Sequence, residues 1–226
     1  MEQAKTIAEI TARILLDTKA VLFNPDQPYT FTSGRVSPIY VDCRRLISFP
    51  RARSKLMDMM CSLFEETVGF DQIDAVAGGE TAGIPFAAFV AERMHLPMLY
   101  IRKKPKGFGR GSQIEGLMDE GSRVLLVEDL ASEGTSKLNF VRAIRAADGK
   151  IGHTIVVFNY GIYPQSVATL SRENVQLHAL ANFRDVMTAA AGMGSFTSAQ
   201  VDALEAYAKD PDAWSVERGG TKGGDA

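Results

Sequence analysis

Cysteine is scarce. Cys43 and Cys61 are the only two in 226 residues. They lack the spacing of a metal site, so reduced thiols in a cytoplasmic protein are expected rather than a disulfide framework. Long apolar runs are missing too. None approaches the roughly 18 residues of a membrane-crossing helix, and no such helix is predicted. The opening MEQAKTIAEI has no apolar signal core, and secretion is not expected. Neither sign of charge dominates: 25 Lys and Arg against 27 Asp and Glu leave a net charge of −2. That balance argues against a generally basic nucleic-acid-binding surface, while a local basic patch stays possible. The three histidines, His95, His153 and His178, are scattered, match no metal or catalytic spacing and are read as structural or surface residues. G-x-S-x-G, H-E-x-x-H and G-x-x-x-x-G-K-[ST] are absent, which leaves those hydrolase and nucleotidase routes unsupported. No internal repeat is present.

What is present is 46% hydrophobic residues, enough for a sizeable core, in a chain long enough for one large domain or two small ones. Ile7, Ile10, Ile14 and Leu15 recur at helical spacing. A Pro/Gly/Ser/Thr-rich stretch from Asn24 to Pro38 predicts a loop or short hairpin feeding a strand at Ile39–Asp42. Pro50 opens a predicted helix running to about Phe64, whose Met57, Met59 and Met60 suit a core-facing side. From there strands apolar throughout alternate with helices. The strands are IDAVAG from Ile73, Pro97–Arg102, Arg123–Asp129, His153–Tyr160 and Val175–Ala181. The helices are Thr81–Met94 and Thr135 onward, the second closed by Gly149. This alternation predicts an α/β fold, an open parallel sheet flanked by helices. The expected divisions are an N-terminal helix and hood region (1–65), an α/β core (66–190), a C-terminal helical extension (191–215) and an unstructured tail (216–226).

Ligands in such sheets bind beyond the carboxyl ends of the strands, which directs attention past Ala77, Ile101, Val127 and Phe158. After Val127 stand Glu128 and Asp129, then Leu130, Ala131, Ser132, Glu133, Gly134, Thr135 and Ser136 before a helix. A Gly/Ser/Thr loop at a helix N-terminus cradles an anion. Two carboxylates beside it suit the hydroxyls of a phosphorylated sugar. The competing explanation is a strand-to-helix turn capped by Ser132 or Ser136, with solvated acids. After Ile101, the stretch Arg102–Arg110 carries five cations among glycines, a loop able to fold over a polyanion such as pyrophosphate. A solvated basic loop is the alternative. GFGRGS within it is not a dinucleotide fingerprint. After Ala77, glycines Gly78, Gly79 and Gly83 permit either close approach of a ligand or tight strand–helix packing.

VLLVEDLASEGTS resembles the phosphoribosyl-pyrophosphate (PRPP) signature of the type I phosphoribosyltransferases. YTFTSGRVSPIYVDCRRLISFP and RKKPKGFGRGSQIEG resemble the orotate phosphoribosyltransferases in particular, over about residues 15–190. The resemblance implies transfer of the phosphoribosyl group of PRPP to orotate, giving orotidine 5′-monophosphate and pyrophosphate, in de novo pyrimidine biosynthesis. It also implies Mg²⁺ as cofactor, with no side-chain metal ligand assigned, and a homodimer sharing the basic loop. By match of position, Glu128 and Asp129 hold the ribose, and Leu130 and Ala131–Ser136 form the phosphate loop, with Ser132 also touching orotate. Arg102, Lys103 and Lys106 bind the pyrophosphate end. Tyr40 and Val41 offer backbone groups to orotate from a hood at Ser33–Val41, and Tyr160 is a further orotate candidate. Lys106, Arg102 and Asp129 are the catalytic candidates. The chain departs from many relatives at Phe108, where a loop histidine is usual, and at Glu133, where Thr is usual. Thr32, Ala82 and Tyr160 stand where one bacterial subgroup has two lysines and an arginine. A second subgroup resembles this chain there. A phosphoribosyltransferase for another base, and a regulatory PRPP-binding protein without activity, share the same loop. The intact K-P-K stretch favours an enzyme, because a sensor has no leaving group to close over.

Overall fold

The computed structural model describes residues 2–106, 113–132, 135–194 and 196–222. The N-terminal part contains α1 (Glu2–Asp17), β1 (Val21–Phe23), β2 (Tyr29–Thr30), β3 (Val36–Ser37), β4 (Ile39–Val41) and α2 (Pro50–Thr67). Pro50 occupies the start of α2, where its missing N–H is no loss. β1 pairs with β4 and β2 with β3, both antiparallel, so the predicted loop holds a short hairpin.

The core follows as β5 (Ala75–Gly79), α3 (Gly83–Met94), β6 (Met98–Ile101), β7 (Ile114–Glu115), β8 (Arg123–Ala131), α4 (Thr135–Ala146), β9 (Lys150–Asn159), α5 (Pro164–Arg172) and β10 (Gln176–Asn182). These strands form one sheet in the order β10-β9-β8-β5-β6-β7. All pairings are parallel except that of the short edge strand β7 with β6. From β5 the chain moves outward to β6, then returns to the other side of β5 for β8, β9 and β10. The order therefore reverses between β5 and β8, and the crevice beyond those two strand ends is where an open α/β sheet binds its ligand. Apolar strands at the centre are explained by cover on both faces. Leu125, Val127, Ile155 and Val157 pack with α2 and α3, while Val124, Leu126 and Ala77 pack with Phe140, Val141 and Ile144 of α4.

Two sequence expectations change at element ends. The residue that turns the chain after α4 is Asp148, with φ 61°, not Gly149. Gly149 instead lies where a Cβ would meet Ile144 Cγ2 at 2.8 Å, and its N–H donates to Ile144 O at 3.0 Å. Strand β8 runs two residues past Asp129, because its ladder with β9 continues through Leu130↔Phe158 and Ala131↔Asn159.

The chain continues through α6 (Phe183–Gly192), α7 (Ser198–Lys209) and α8 (Pro211–Glu217). Asn182 with Asp185 and Thr197 with Gln200 form capping boxes at the starts of α6 and α7. Residues 216–222 depart from the expected unstructured tail, while 223–226 lie outside the described residues. The Thr221 N–H donates to Gly34 O at 3.0 Å and its hydroxyl to Ser33 O at 2.9 Å. The Val36 N–H donates to Ser215 Oγ at 2.9 Å, and Ser37 Oγ donates to the Tyr207 hydroxyl at 3.0 Å. Arg35 pairs with Asp212. Hydrogen-bond partners more than 170 residues away order a segment whose composition alone suggests none. Ser215 is fully buried, so Ser215→Ala strands the Val36 N–H. It is expected to lower unfolding stability by about 2 kcal/mol in urea denaturation, with no change in m-value.

His153 and His178 lie side by side. The parallel register of β9 and β10 brings His153 Nδ1 within 3.1 Å of His178 Nε2, with the Phe64 ring edge-on to both. Burial pushes both imidazoles down, His178 to about 4 with His153 adding to the effect. The unfolded chain takes up a proton near pH 6.5, whereas the folded chain resists until near 4. Between these values falling pH therefore removes stability through this pair. Glu128 acts with the opposite sign over a neighbouring range, so the variant comparison isolates the pair. The thermal midpoint of His178→Gln is expected to fall less than that of the parent between pH 6.5 and 4. Parallel curves would remove the pair as the cause.

Candidate active site

The reversal point of the sheet holds the acid pair. Glu128 and Asp129 are both buried, 6% and 7% exposed. Successive strand residues point to opposite faces, so Glu128 lies on the α4 side with Val124 and Leu126, and Asp129 on the side of Leu125 and Val127. Glu128 Oε1 accepts the Gly79 N–H across the β5–β8 gap at 2.9 Å. Asp129 Oδ1 accepts the Leu130 N–H at 2.8 Å. Burial pushes the Glu128 carboxyl up to about 7, opposed chiefly by Lys137. Burial raises Asp129 as well, again opposed first by Lys137.

The nearby glycines resolve the choice left open by the sequence in favour of packing. A Cβ on Gly78 would meet the Gly83 carbonyl oxygen at 2.6 Å and Ala87 Cβ at 2.8 Å. On Gly79 it would overlap the Phe140 ring and come within 2.5 Å of Glu128 Oε1, and on Gly83 it would overlap Glu128. The glycines clear space for the carboxylate.

A cavity of about 770 Å³ opens at this point, lined in part by Arg44, Glu80, Thr81, Lys103, Glu128 and Asn139. Of Arg102, Lys103 and Lys106, on the chain between β6 and β7, Lys103 lines the cavity, while Arg102 and Lys106 are not among its lining residues. The base of that chain segment is pinned: Arg102 and Gln113 exchange backbone and side-chain hydrogen bonds, Lys103 N–H donates to Glu80 Oε2 at 2.7 Å, and Asn139 Nδ2 donates to Lys103 O at 2.9 Å. Lys106 Nζ sits 2.7 Å from Glu115 Oε1, with Arg102 NH1 at 3.6 Å from the same oxygen. Arg102 Nε is buried and without a hydrogen-bond partner among the described residues.

The other sequence candidates divide. Ala131 is fully buried at the end of β8, so the connection to α4 begins at the half-buried Ser132 rather than at Ala131. Leu130, half buried, accepts a hydrogen bond through its carbonyl. Glu133, Gly134 and Phe108 lie outside the described residues, as do the side chains of Thr135 and Ser136, which open α4. In the hood, Asn24 N–H donates to Pro38 O and Asp42 N–H to Ala20 O. With the register Leu22↔Tyr40, antiparallel alternation commits the backbone of Tyr40 to β1 and turns that of Val41 away. The Tyr40 side chain is half exposed beside Tyr29 and Phe31. Tyr160 is buried between Phe158 and Tyr163, its N–H donating to Ala131 O at 2.9 Å. Thr32 is exposed, and Ala82 lines the cavity. Sequence reasoning missed Lys137, Arg44, Glu80, Asn139 and Glu115. Glu115 and Arg44 carried a signal, since both lie in stretches quoted for the family resemblance without a role of their own.

Residues 49–170 match the family model of the phosphoribosyl transferase domain. The orotate phosphoribosyltransferase of Ruegeria sp. (strain TM1040) is 54% identical over 211 residues, 93% of each chain. The chain belongs to the orotate phosphoribosyltransferase family. The family member of Dinoroseobacter shibae is 53% identical over 208 residues, 92% of each chain. A crystal structure of the orotate phosphoribosyltransferase from Aeropyrum pernix is 29% identical with a TM-score of 0.67, across 81% of this chain and 99% of that one. The structure of Leishmania donovani UMP synthase shares the fold at 24% identity, TM-score 0.72, over 88% of this chain and 41% of that one. Among the described residues no helix is long and apolar enough to cross a membrane.

Proposed function

We propose that this chain, as an orotate phosphoribosyltransferase, joins the phosphoribosyl group of PRPP to orotate in the crevice between β5 and β8. The bond from ribose C1 to pyrophosphate breaks, the electron pair leaves with pyrophosphate, and a ring nitrogen of orotate forms the new bond to C1 while its proton passes to the departing pyrophosphate. The acid pair at the switch point carries this assignment. Buried carboxylates at the sheet's ligand-binding edge suit hydroxyl groups, which both donate to and accept from them. Ser132, Gly134 and the start of α4 receive the 5′-phosphate at a helix N-terminus, alongside Glu133, Thr135 and Ser136. Arg102, Lys103 and Lys106 face the pyrophosphate, where their charge offsets the charge growing on the leaving group. Arg102 has a buried Nε without a partner among the described residues, in keeping with an anion contact. Val41 offers backbone groups to orotate, with the Tyr40 ring beside it.

Among the described residues no cluster of three or more His, Cys, Asp and Glu side chains could hold a metal ion. Glu128 and Asp129, on opposite faces of one strand, do not converge on a single point. The residues therefore fit Mg²⁺ carried in on the phosphates of PRPP rather than held in a protein cage. The proposal extends to a homodimer sharing the basic loop and to a cytoplasmic location, in keeping with the free thiols of Cys43 and Cys61.

The test is loss of orotate absorbance on adding PRPP and Mg²⁺, beside adenine, hypoxanthine and uracil. Turnover with orotate alone is expected. Turnover with another base would overturn the hood assignment, and PRPP binding without turnover would make the chain a PRPP sensor.

A further inference from the structure

Lys137 is a charged residue that none of the above uses. It is 3% exposed, on the first turn of α4, and Nζ donates to the Leu130 carbonyl at 2.6 Å. A lysine withdrawn so far from water needs compensation from fixed negative charge. One carbonyl does not match a full cation, and the two buried carboxylates at the end of β8 do. Leu130 follows the acid pair directly in the chain, so the bond to its carbonyl brings the Lys137 ammonium to the segment that carries both acids.

We propose that Lys137 is a positioning residue that holds the Glu128–Asp129 pair charged, thereby setting PRPP affinity. This rests on that pair lying in the PRPP site. The charged and titratable groups acting on the pair are Lys137 from α4, Lys103 from the chain after β6, Arg44 and the buried Cys43 thiol from the hood side, and each acid on the other, while the Gly79 N–H adds a dipole from β5. Removing Lys137 leaves two buried carboxylates with more distant cations, and Glu128, already raised to about 7, rises further.

The experiment compares the parent protein with Lys137→Met and Lys137→Arg. Calorimetric PRPP binding comes first, from pH 6 to 9, then kcat and each KM with orotate. Lys137→Met is expected to weaken PRPP about tenfold near pH 7 and move the acid limb of PRPP binding up by about one pH unit. Its orotate KM stays within about twofold of the parent, and Lys137→Arg restores the limb. A folded Lys137→Met with the parental limb overturns the proposal, as do equal losses for PRPP and orotate. If Lys137→Met does not fold, adding Glu128→Gln decides: recovered folding supports the pairing and continued failure overturns it. A parent that binds PRPP but does not consume orotate rejects the proposed reaction and leaves the binding limb still readable. A parent that binds no PRPP rejects both.

Discussion

Lys106→Ala is expected to lower kcat by about 10²–10³-fold and leave the unfolding midpoint almost unchanged. The two effects separate because of where the side chain sits. Lys106 is 34% exposed at the side chain, outside both core clusters, with one ion-pair partner among the described residues, Glu115. An exposed pair of this kind contributes about 0–1 kcal/mol to folding. The same cation placed on departing pyrophosphate acts where charge grows as the bond to C1 breaks, and there a fixed charge matters most. Glu115 Oε1 lies near both Lys106 Nζ and Arg102 NH1, so under the proposed function Lys106 would exchange one anionic partner for another on binding PRPP. Initial rates of orotate loss with saturating substrates, beside a thermal melt, read both effects. Parental kcat in the variant would remove Lys106 from the chemistry.

Gly79→Ala is expected to cost about 3 kcal/mol of unfolding stability, near the upper end for an overpacked core, and to abolish most activity. The added methyl group would overlap the Phe140 ring and lie 2.5 Å from Glu128 Oε1. Neither side can yield easily. β5 is hydrogen-bonded on both edges, to β6 and β8, and Phe140 is 2% exposed in the packed layer under α4. The Glu128 carboxylate would be driven from the Gly79 N–H, so the same methyl group disturbs folding and the proposed ribose contact together. Gly78→Ala presses on the Gly83 carbonyl and on Ala87 instead of on the acid pair. Urea denaturation gives the first quantity and initial rates of orotate loss the second. Parental stability in Gly79→Ala would show that the sheet accommodates a side chain there, and the packing explanation would fail.

The sequence by itself determined whatever depends on near neighbours in the chain. Central strands buried on both faces must be apolar throughout, so Arg123–Val127 and Thr154–Phe158 announce a covered parallel sheet. Glu128 and Asp129, the Ser/Thr/Gly stretch after them and the cations from Arg102 to Lys106 are contiguous, so chemistry that needs them together is legible as motif. Tertiary structure alone decided what depends on partners far along the chain. Hydrogen bonds to β9 carry β8 through Ala131 and turn an expected loop residue into strand. Parallel register joins His153 to His178. Phe140 and Glu128, from β8 and the helix after it, decide that Gly79 serves packing. Tyr207, Asp212, Ser215 and Thr221 hold the hood residues Ser33–Ser37 from the other end of the chain. Lys137 reads in sequence as an ordinary helix lysine, and only the closure of α4 onto the strand end shows it buried beside the two acids. Local composition encodes propensity and pattern, whereas burial and long-range pairing exist only once distant segments have met.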